Sequence, residues 1–220
     1  MSNSTKKKKL REEFKQKIDA FTFNDLMVKS KNLARSFDQE IVETLKTDAF
    51  FGRFIVSFYP FGNEPQINIE LDTQSEPYQV AYVRIVDWSK REMVSAQARR
   101  DQPGQWEEFA VSSGHKIFQP NGAQSICSPK QVAAILVPGL AFSPTGERLG
   151  RGAGFYDRFL IQYPEALRVG VAFEEQIVKN IPCDPWDEKV DIILTDRGVL
   201  EVNEMKLLGE WRTQGKVLRR

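Results

Sequence analysis

The stretch QVAAILVP, residues 131–138, decides the fold that this sequence predicts. Its residues are apolar on both faces, as expected of a central strand in a parallel sheet that is covered on both sides. Other apolar runs lie before and after it, separated by turn residues or by helical patterns. The predicted strands are RFIVSFYP (53–60), YQVAYVRIV (78–86), LRVGVAF (167–173), VDIILTD (190–196) and GVLEV (198–202). Strands that alternate with helices predict an α/β fold, a three-layer sandwich around a largely parallel sheet.

The predicted helices lie at the N-terminus and between the strands. Apolar residues recur at helical spacing from residue 6 to 18, and again from 24 or 25 to 45, where Asn24 and Asp25 supply capping oxygens. Two shorter helices are predicted at FYDRFLIQY (155–163) and EEQIVKNI (174–181). The segment 63–77 fits either a strand or a short helix, and 89–121 is predicted as loops with one short strand near 107–111.

The chain is predicted to form one principal domain. At 220 residues it is long enough to bury a substantial core without disulfides or metals. We assign residues 1–202 to a single α/β domain, whose first 47 residues form an N-terminal helical part. Residues 203–220 are predicted to be a C-terminal extension, either an appended helix or a frayed end.

Composition excludes several classes of protein. Hydrophobic residues make up 41% of the chain and charged residues 28%, and the formal net charge is +1. Such a protein is globular and has no overall attraction for nucleic acid or for anionic membranes, so any anion site must be local. We expect neither a signal peptide nor a membrane span, and a cytoplasmic location.

The cysteines, the histidine and the tryptophans carry no evident chemistry. Cys127 and Cys183 lie far apart, which argues against a disulfide framework or a zinc site and fits a reducing compartment. His115 is interpreted as a loop histidine without a chemical role. The cysteines are interpreted as packing residues, and so are Trp88, Trp106, Trp186 and Trp211.

The stretch RLGRGAGFYDRF (148–159) contains little that could form a core. It belongs to a loop of roughly sixteen residues between the central strand and the next helix, where about two to six are usual. Long loops at the carboxyl end of a parallel sheet are where such folds bind ligands. Gly150, Gly152 and Gly154 alternate, so the backbone can adopt positive φ angles and present N–H groups to an anion.

The charged side chains of this stretch point to phosphate chemistry. Arg148 and Arg151 carry forked donors that suit phosphate. Asp157 either neutralises the start of the following helix or holds a magnesium ion that contacts the phosphate. The alternative is a solvated turn followed by an ordinary first-turn acid. The glycine spacing matches neither the P-loop nor the dinucleotide fingerprint.

Three segments together resemble one enzyme family. LVPGLAFSPTGERLGRGAGFYDRFL (136–160) closely resembles the signature of 5-formyltetrahydrofolate cyclo-ligases, also called 5,10-methenyltetrahydrofolate synthetases. KKKLREEFKQKI (7–18) resembles their N-terminal Lys-x-x-x-Arg helix, and VGVAFEEQIVKNIPCDPWDEKVDIILTD (169–196) resembles their Ala-Phe-x-x-Gln stretch and Val-Asp pair. The resemblance is weak from 65 to 125 and absent from the tail. It implies an α/β ligase that uses ATP and Mg²⁺ to convert 5-formyltetrahydrofolate to 5,10-methenyltetrahydrofolate, with release of ADP and phosphate.

The resemblance also implies roles for individual residues. The implied ATP-binding residues are Lys7, Arg11, Arg148, Leu149, Gly150, Arg151, Gly152, Ala153, Gly154, Phe155 and Tyr156. Arg148, Arg151 and Tyr156 of this set are expected to be catalytic. Tyr59, Glu64 and Phe155 are expected to contact the folate, and Asp157 and Asp191 to bind the magnesium ion.

Two other functions remain open at this point. After Glu64 the family usually carries a second acid and then a threonine, but this chain has Gln66 and Ile67. A paralogue that binds folate or nucleotide without turnover is therefore one alternative. An RNA-binding protein that uses the basic N-terminus and the Arg219–Arg220 tail is the other, and the near-neutral charge argues against it. We expect a monomer or weak homodimer that acts on a small-molecule folate, with neither nucleic acid nor membrane as a partner.

Overall fold

The core of the protein is a seven-stranded, largely parallel sheet, whose strands, numbered along the chain, lie in the order β11 (Gly198–Glu201), β10 (Ile192–Thr195), β9 (Leu167–Val171), β6 (Val132–Pro138), β1 (Phe54–Ser57), β2 (Gln79–Asp87) and β3 (Glu92–Gln97). This computed structural model describes residues 2–42, 52–67, 78–111, 114–202 and Trp211. The five central strands run parallel, and only the edge strands β3 and β11 are antiparallel to their neighbours. The predicted α/β fold around a largely parallel sheet is therefore confirmed.

The strands of this sheet are four to nine residues long, and two separate two-stranded ribbons accompany them. The ribbons are β4 (Trp106–Ala110) with β5 (Lys116–Pro120), and β7 (Ala141–Phe142) with β8 (Arg148–Leu149). The α-helices are α1 (Asn3–Asp19), α2 (Phe23–Phe37) and α3 (Phe155–Leu160).

Helices cover both faces of the sheet, so that successive residues of β6 pack on opposite sides against different helices. Leu136 packs in one apolar cluster with Leu33 of α2. Val137 packs in a second cluster with Phe159 of α3, on the other face. Both β6 residues are fully buried, which explains why this strand is apolar throughout. Among the described residues, no helix combines the length and the apolar character that crossing a membrane would need.

Helix α1 does not lie on the sheet but on the loop that follows β6. It begins at Ser2, whose hydroxyl accepts a hydrogen bond from the Thr5 backbone N–H, as N-cap residues do. Its buried face includes Phe14, which packs in one cluster with Leu140 and Leu149. The N-terminal helix is therefore one wall of the region where the sequence predicts ligand binding.

Helix α2 is shorter than predicted and is capped by a different residue. Thr22 is the N-cap: its hydroxyl accepts a hydrogen bond from the Asp25 backbone N–H, and the Asp25 carboxylate accepts one from the Thr22 backbone N–H, so the two form a capping box. The α-helix ends at Phe37 and continues as a π-helical turn over Asp38–Val42. The predicted end at residue 45 lies outside the described residues.

The prediction of loops over 89–121 is wrong in two places. Strand β3 pairs with β2, and β5 pairs with β4 into a hairpin, so only the strand near 107–111 was recognised in the pattern. The sequence of β3 shows no clear apolar alternation, because its buried face includes the small polar residue Ser95, which is fully buried. Strand β5 carries the exposed Lys116 and lacks a clear apolar face.

Three further predictions need correction. Residues 174–181 form only a 3₁₀ turn at Glu174–Gln176, because the following chain pairs with β7, where Val178 N–H donates to the Phe142 carbonyl at 2.9 Å. The helix predicted over 155–163 ends at Leu160. Trp186 is 70% exposed and does not pack in a core, whereas Cys127 is buried as predicted.

Candidate active site

The candidate site lies where the strand order of the sheet reverses. From β1 the chain adds β2 and β3 on one side, and later adds β6, β9, β10 and β11 on the other. In such sheets ligands bind in the crevice beyond the carboxyl ends of the two strands at the reversal. Here the segment after Ser57 of β1 and the loop after Pro138 of β6 border that crevice.

The loop after β6 contains more regular secondary structure than the sequence predicts. The β7–β8 ribbon occupies its first part, and Leu149 of β8 is buried under α1. Residues 150–154, which we call the glycine loop, then connect this ribbon to α3. Gly152 and Gly154 have φ angles of 104° and 73°, a conformation that strains any residue with a side chain. The predicted positive φ angles are therefore confirmed at these two positions but not at Gly150, and anion binding by the loop stays a prediction.

Arg148 is held in a buried ion pair with Asp157. Its Nη2 donates to Asp157 Oδ1 at 2.9 Å, and its side chain is only 5% exposed. The Tyr156 ring lies 5.5 Å from the centre of the guanidinium group. The Glu188 backbone N–H donates to the same Asp157 oxygen at 3.2 Å. Asp157 Oδ2 lies beside Gly154 and remains the oxygen that could bind a ligand.

Arg151 connects the glycine loop to the segment after β1. Its Nε donates to Glu64 Oε1 at 2.9 Å, and its Nη2 donates to the Phe61 carbonyl at 3.3 Å. The guanidinium group also lies 4.9 Å from the centre of the Phe61 ring. Glu64 is only 9% exposed, and its second oxygen accepts the Phe61 backbone N–H at 3.0 Å. The structure therefore joins a residue predicted to bind ATP to one predicted to bind folate.

Helix α1 directs Arg11 towards the glycine loop and Lys7 away from it. Arg11 Nε donates to the Gly150 carbonyl at 2.9 Å, and its guanidinium carbon lies 3.3 Å from where a Cβ of Gly152 would be. Lys7 instead contacts Asp184 and Asp187, at 2.6 and 2.5 Å. Burial alone would lower the pKa of Lys7, but the two carboxylates raise it above its ordinary value, so Lys7 stays charged.

The two aromatic residues that begin α3 point in different directions. Phe155 is buried and its ring lies 4.9 Å from that of Trp88, in the core cluster. The Tyr156 hydroxyl is buried and has no hydrogen-bond partner among the described residues. Burial raises the pKa of Tyr156, and the Glu64 carboxylate raises it further, so the hydroxyl stays protonated and can donate. A buried donor without a partner is a candidate for contacting a ligand.

Tyr59 contacts the β4–β5 hairpin. Its ring lies 5.6 Å from that of Trp106 and 5.3 Å from that of Phe118, and the Arg100 guanidinium lies 5.3 Å from its centre. The side chain is 43% exposed. A role for Tyr59 in folate binding stays a prediction.

A cavity of about 510 Å³ opens beside Arg151. Its apolar lining includes Ile18, Phe61 and Leu140, and its polar lining includes Lys15, Asn63 and His115. Apolar walls with a few polar groups are typical of small-molecule sites. His115, whose ring lies 5.6 Å from that of Phe61, therefore borders the candidate site, although its sequence context gave no sign of this.

The two predicted magnesium ligands have different surroundings. Asp191, just before β10, is 6% exposed, and its Oδ2 accepts the Arg168 backbone N–H at 2.8 Å. Asp157 contacts Arg148 and Glu188 instead. Within the described ranges, no three His, Cys, Asp or Glu side chains form a group that could hold a metal. One free carboxylate oxygen, that of Asp157, fits a magnesium ion bound mainly by phosphate and water.

Sequence reasoning missed Arg91, in the turn between β2 and β3. Its Nη1 lies 3.9 Å from where a Cβ of Gly154 would be, so a third segment of the chain reaches the glycine loop. An arginine in a polar turn carries no pattern that predicts such a position. Only the pairing of β2 with β3, which the sequence did not reveal, brings it there.

Comparison with known proteins shows the family to which the chain belongs. The model of the 5-formyltetrahydrofolate cyclo-ligase family matches residues 3–196. A Mycolicibacterium smegmatis protein named 5-formyltetrahydrofolate cyclo-ligase is 30% identical over 164 residues, which cover 68% of this chain and 77% of that protein. The mouse protein of that name is 38% identical over 98 residues, 40% of this chain. The chain spans about half the length of the mouse protein.

Solved structures support the same fold. The NMR structure of Aquifex aeolicus 5,10-methenyltetrahydrofolate synthetase matches with a TM-score of 0.73 and 23% identity, over 90% of this chain and 93% of that one. A 5,10-methenyltetrahydrofolate synthetase from Mycoplasma pneumoniae matches with a TM-score of 0.63 and 21% identity, over 86% of this chain and 98% of that one. Since the family model matches residues 3–196, well over half of the chain, the chain belongs to the 5-formyltetrahydrofolate cyclo-ligase family.

Proposed function

We propose that this protein uses ATP to convert 5-formyltetrahydrofolate to 5,10-methenyltetrahydrofolate, with release of ADP and phosphate. The observation that carries the proposal is the 2.9 Å ion pair between Arg151 and Glu64. It brings the glycine loop, which suits phosphate, into contact with the acid after β1 that matches the family's folate-binding residue. Both substrates of the reaction would therefore meet at one crevice.

The first step would be phosphoryl transfer to the substrate. The formyl group on N5 is an amide whose nitrogen lone pair makes the carbonyl oxygen nucleophilic. That oxygen attacks the γ-phosphorus, and the bond between the γ-phosphorus and the departing ADP oxygen breaks. N10 then attacks the formyl carbon and loses its proton, and phosphate leaves with the former carbonyl oxygen. The ring is closed, and one ATP is consumed for each methenyl group formed.

The residues of the site would act by position and charge. Phosphoryl transfer depends chiefly on alignment and on cations that stabilise the phosphate oxygens, so no covalent nucleophile is required. Arg11 borders the glycine loop, Arg151 is part of it, and the Tyr156 hydroxyl is a buried donor beside Arg148 and Glu64. Each such donor is worth roughly 2–4 kcal/mol of barrier, by analogy with other charge-stabilising donors. Magnesium, when bound, would neutralise phosphate charge, and Asp157 Oδ2 is the oxygen that we expect to bind it.

A non-catalytic folate- or nucleotide-binding protein is the second candidate, and one observation favours it. Ile67 is 3% exposed and packs in the core with α2, and the Gln66 backbone N–H donates to Ser30 at 3.3 Å. Ile67 therefore serves packing where the family usually has a threonine, and the exposed Gln66 carries no charge where the family usually has an acid. The charge and the hydroxyl that those residues would offer the substrate are absent.

One assay separates the two candidates. Purified protein is mixed with 5-formyltetrahydrofolate, ATP and Mg²⁺, and methenyl absorbance and phosphate release are followed together. The proposed reaction gives one phosphate for each methenyl group and requires ATP. Arg151→Ala and Asp157→Ala are expected to lower the rate at least about a hundredfold. Arg35→Ala, which removes an exposed arginine from α2, is the matched control and should leave the rate unchanged. Folate binding without an ATP-dependent signal would instead support the non-catalytic candidate.

A further inference from the structure

Arg91 occupies a strained position in the turn between β2 and β3. Its φ angle is +57°, and it is the only non-glycine residue with a positive φ among the described residues. A left-handed conformation is unfavourable for a residue with a side chain, and glycine would avoid this cost. Such strain persists where the surrounding structure over-determines it, often at functional sites. Contacts with the surrounding structure must therefore hold Arg91 in this conformation.

The turn is held on two sides. Within it, the Arg91 N–H donates to the Trp88 carbonyl at 3.2 Å, and Asp87 accepts hydrogen bonds from Ser89 and from the Lys90 backbone. Helix α3 holds it from outside, because Phe155 packs on Trp88 and Arg158 Nη1 donates to the Lys90 carbonyl at 3.2 Å. The Arg91 backbone is therefore fixed relative to the segment that follows the glycine loop.

The Arg91 side chain extends from this turn to the last residue of the glycine loop. Its Nη1 lies 3.9 Å from where a Cβ of Gly154 would be, and Asp157 Oδ2 lies 4.0 Å from the same point. The absence of a Cβ at Gly154 leaves room between the guanidinium and the carboxylate. Asp157 Oδ2 is also the oxygen that we expect to bind the magnesium of a bound nucleotide.

The charges around the glycine loop leave Arg91 without a counterion. Arg148 is paired with Asp157, and Arg151 is paired with Glu64. Arg91 makes no ion pair with any described residue, and its side chain is exposed at the rim of the site. A guanidinium that is close to the glycine loop but unpaired is available to an anionic ligand.

We propose that Arg91 is a phosphate-contacting residue, which donates to a phosphate oxygen of ATP at the Gly154 end of the glycine loop. This rests on the proposed function, because it assumes that the glycine loop binds ATP. Arg91 lies outside the three segments whose motifs resemble the family signature. The turn between β2 and β3 would thus contribute to the same ATP site as the loop after β6.

Nucleotide binding by Arg91→Ala and Arg91→Gly tests the proposal. ATP affinity is measured by calorimetry in the presence of Mg²⁺ and without folate, and KM for ATP and for folate are measured separately. Both variants should weaken ATP binding about tenfold, as expected for one charged hydrogen bond, and should leave KM for folate unchanged. Arg91→Gly should also raise the melting temperature, because glycine relieves the strained backbone. Lys90→Ala removes the neighbouring exposed cation of the same turn and is the control; its ATP affinity should equal that of the wild type.

The outcomes are distinguishable. If both Arg91 variants bind ATP as tightly as the wild type does, the proposal is overturned. This is the result expected in the stable Arg91→Gly protein if Arg91 only supports the fold. Wild-type protein that binds ATP but forms no methenyl product would overturn the proposed function alone. Wild-type protein that binds no ATP would overturn both.

Discussion

Arg151 Nε donates to Glu64 Oε1 at 2.9 Å, and this ion pair connects the two loops that border the crevice. Glu64 is nearly buried, while Arg151 is partly exposed on the cavity side. Neither side chain can be changed without releasing the other, because the carboxylate accepts a hydrogen bond from the guanidinium and neutralises its charge. We therefore expect the folate and ATP sites to be energetically coupled through this pair.

Glu64→Gln should weaken folate binding and also disturb ATP use. The amide keeps the shape but loses the charge that holds Arg151, so KM for 5-formyltetrahydrofolate should rise about tenfold or more. Combined with Arg151→Ala, the effects should fall short of additivity by about 1–2 kcal/mol, because each change removes the same contact. Steady-state kinetics on the two single variants and the double variant measure this coupling. Strictly additive effects would contradict it.

Arg11 and Lys7 lie one helical turn apart but should respond differently to substitution. Arg11→Ala removes a guanidinium that contacts the glycine loop, so KM for ATP should rise about tenfold with little change in stability. Lys7→Ala leaves Asp184 and Asp187 without their shared cation, so the free energy of unfolding should fall by about 2 kcal/mol.

Thermal unfolding and ATP kinetics on the same proteins separate these effects, and Lys8→Ala on the exposed face of α1 is the control. A large rise in KM for ATP in Lys7→Ala would instead support its predicted role in ATP binding. In that case Lys7 would exchange its carboxylate partners for phosphate.

Asp157→Asn should affect both stability and the response to magnesium. The amide still accepts a hydrogen bond, but the buried Arg148 loses its countercharge, so unfolding should be easier by about 2 kcal/mol. If Asp157 Oδ2 binds magnesium, the Mg²⁺ concentration for half-maximal rate should rise about tenfold. Magnesium titrations of the variant and of Asp101→Asn, an exposed acid, test this. A destabilised variant with an unchanged magnesium response would give Asp157 a purely structural role.

The sequence predicts the central layers of the fold because burial on both faces leaves a clear apolar signature. The strands around β6 and β9 were recognisable for that reason, and so was the crevice beyond them. Strand β3 was missed because it lies at an edge and its buried residues include the polar Ser95 beside Met93 and Ala96. Local pattern therefore predicts the centre of a sheet better than its edges.

Residue types and spacing predicted the site only within one segment, whereas Arg11 and Glu64 were expected at the site from the family resemblance alone. Gly152, Gly154 and Arg148 belong to a continuous motif whose residue types suggest phosphate. Contacts between distant segments depend on strand order, so the pairing of Arg151 with Glu64, 87 residues away, could not be deduced from spacing. Arg91 was missed for the same reason.

Trp211 tests the predicted boundary at residue 202. It is fully buried, and its Nε1 donates to the Ala133 carbonyl of β6 at 3.0 Å. Ending the chain at residue 202 should therefore reduce the free energy of unfolding by about 3–5 kcal/mol, the usual cost of removing a large buried aromatic. Trp211→Ala in the full chain should account for most of that loss. Urea unfolding measures both, and a truncated protein as stable as the full chain would show that the extension is dispensable.

Glu147 should make stability depend on pH in the acid range. Burial alone would raise the pKa of Glu147, but hydrogen bonds from Lys189, Ser143 and Thr145 lower it to about 2, from an ordinary value of 4.5. A carboxylate whose pKa is lower in the folded state stabilises the protein fully above its unfolded pKa. This contribution, about 3 kcal/mol, should be lost as the pH falls from about 5 to about 2.

Glu147→Gln should therefore be less stable than the wild type at pH 7, and the difference should shrink towards pH 2. Urea unfolding across this range measures it, with Glu108→Gln as the control, since that acid forms only an exposed pair with Lys116. Other carboxylates titrate in the same window, but they do so equally in both proteins, so the difference between the two curves isolates Glu147. A difference that does not vary with pH would mean that Glu147 stabilises the β7–β8 turn by packing and hydrogen bonding rather than by its charge.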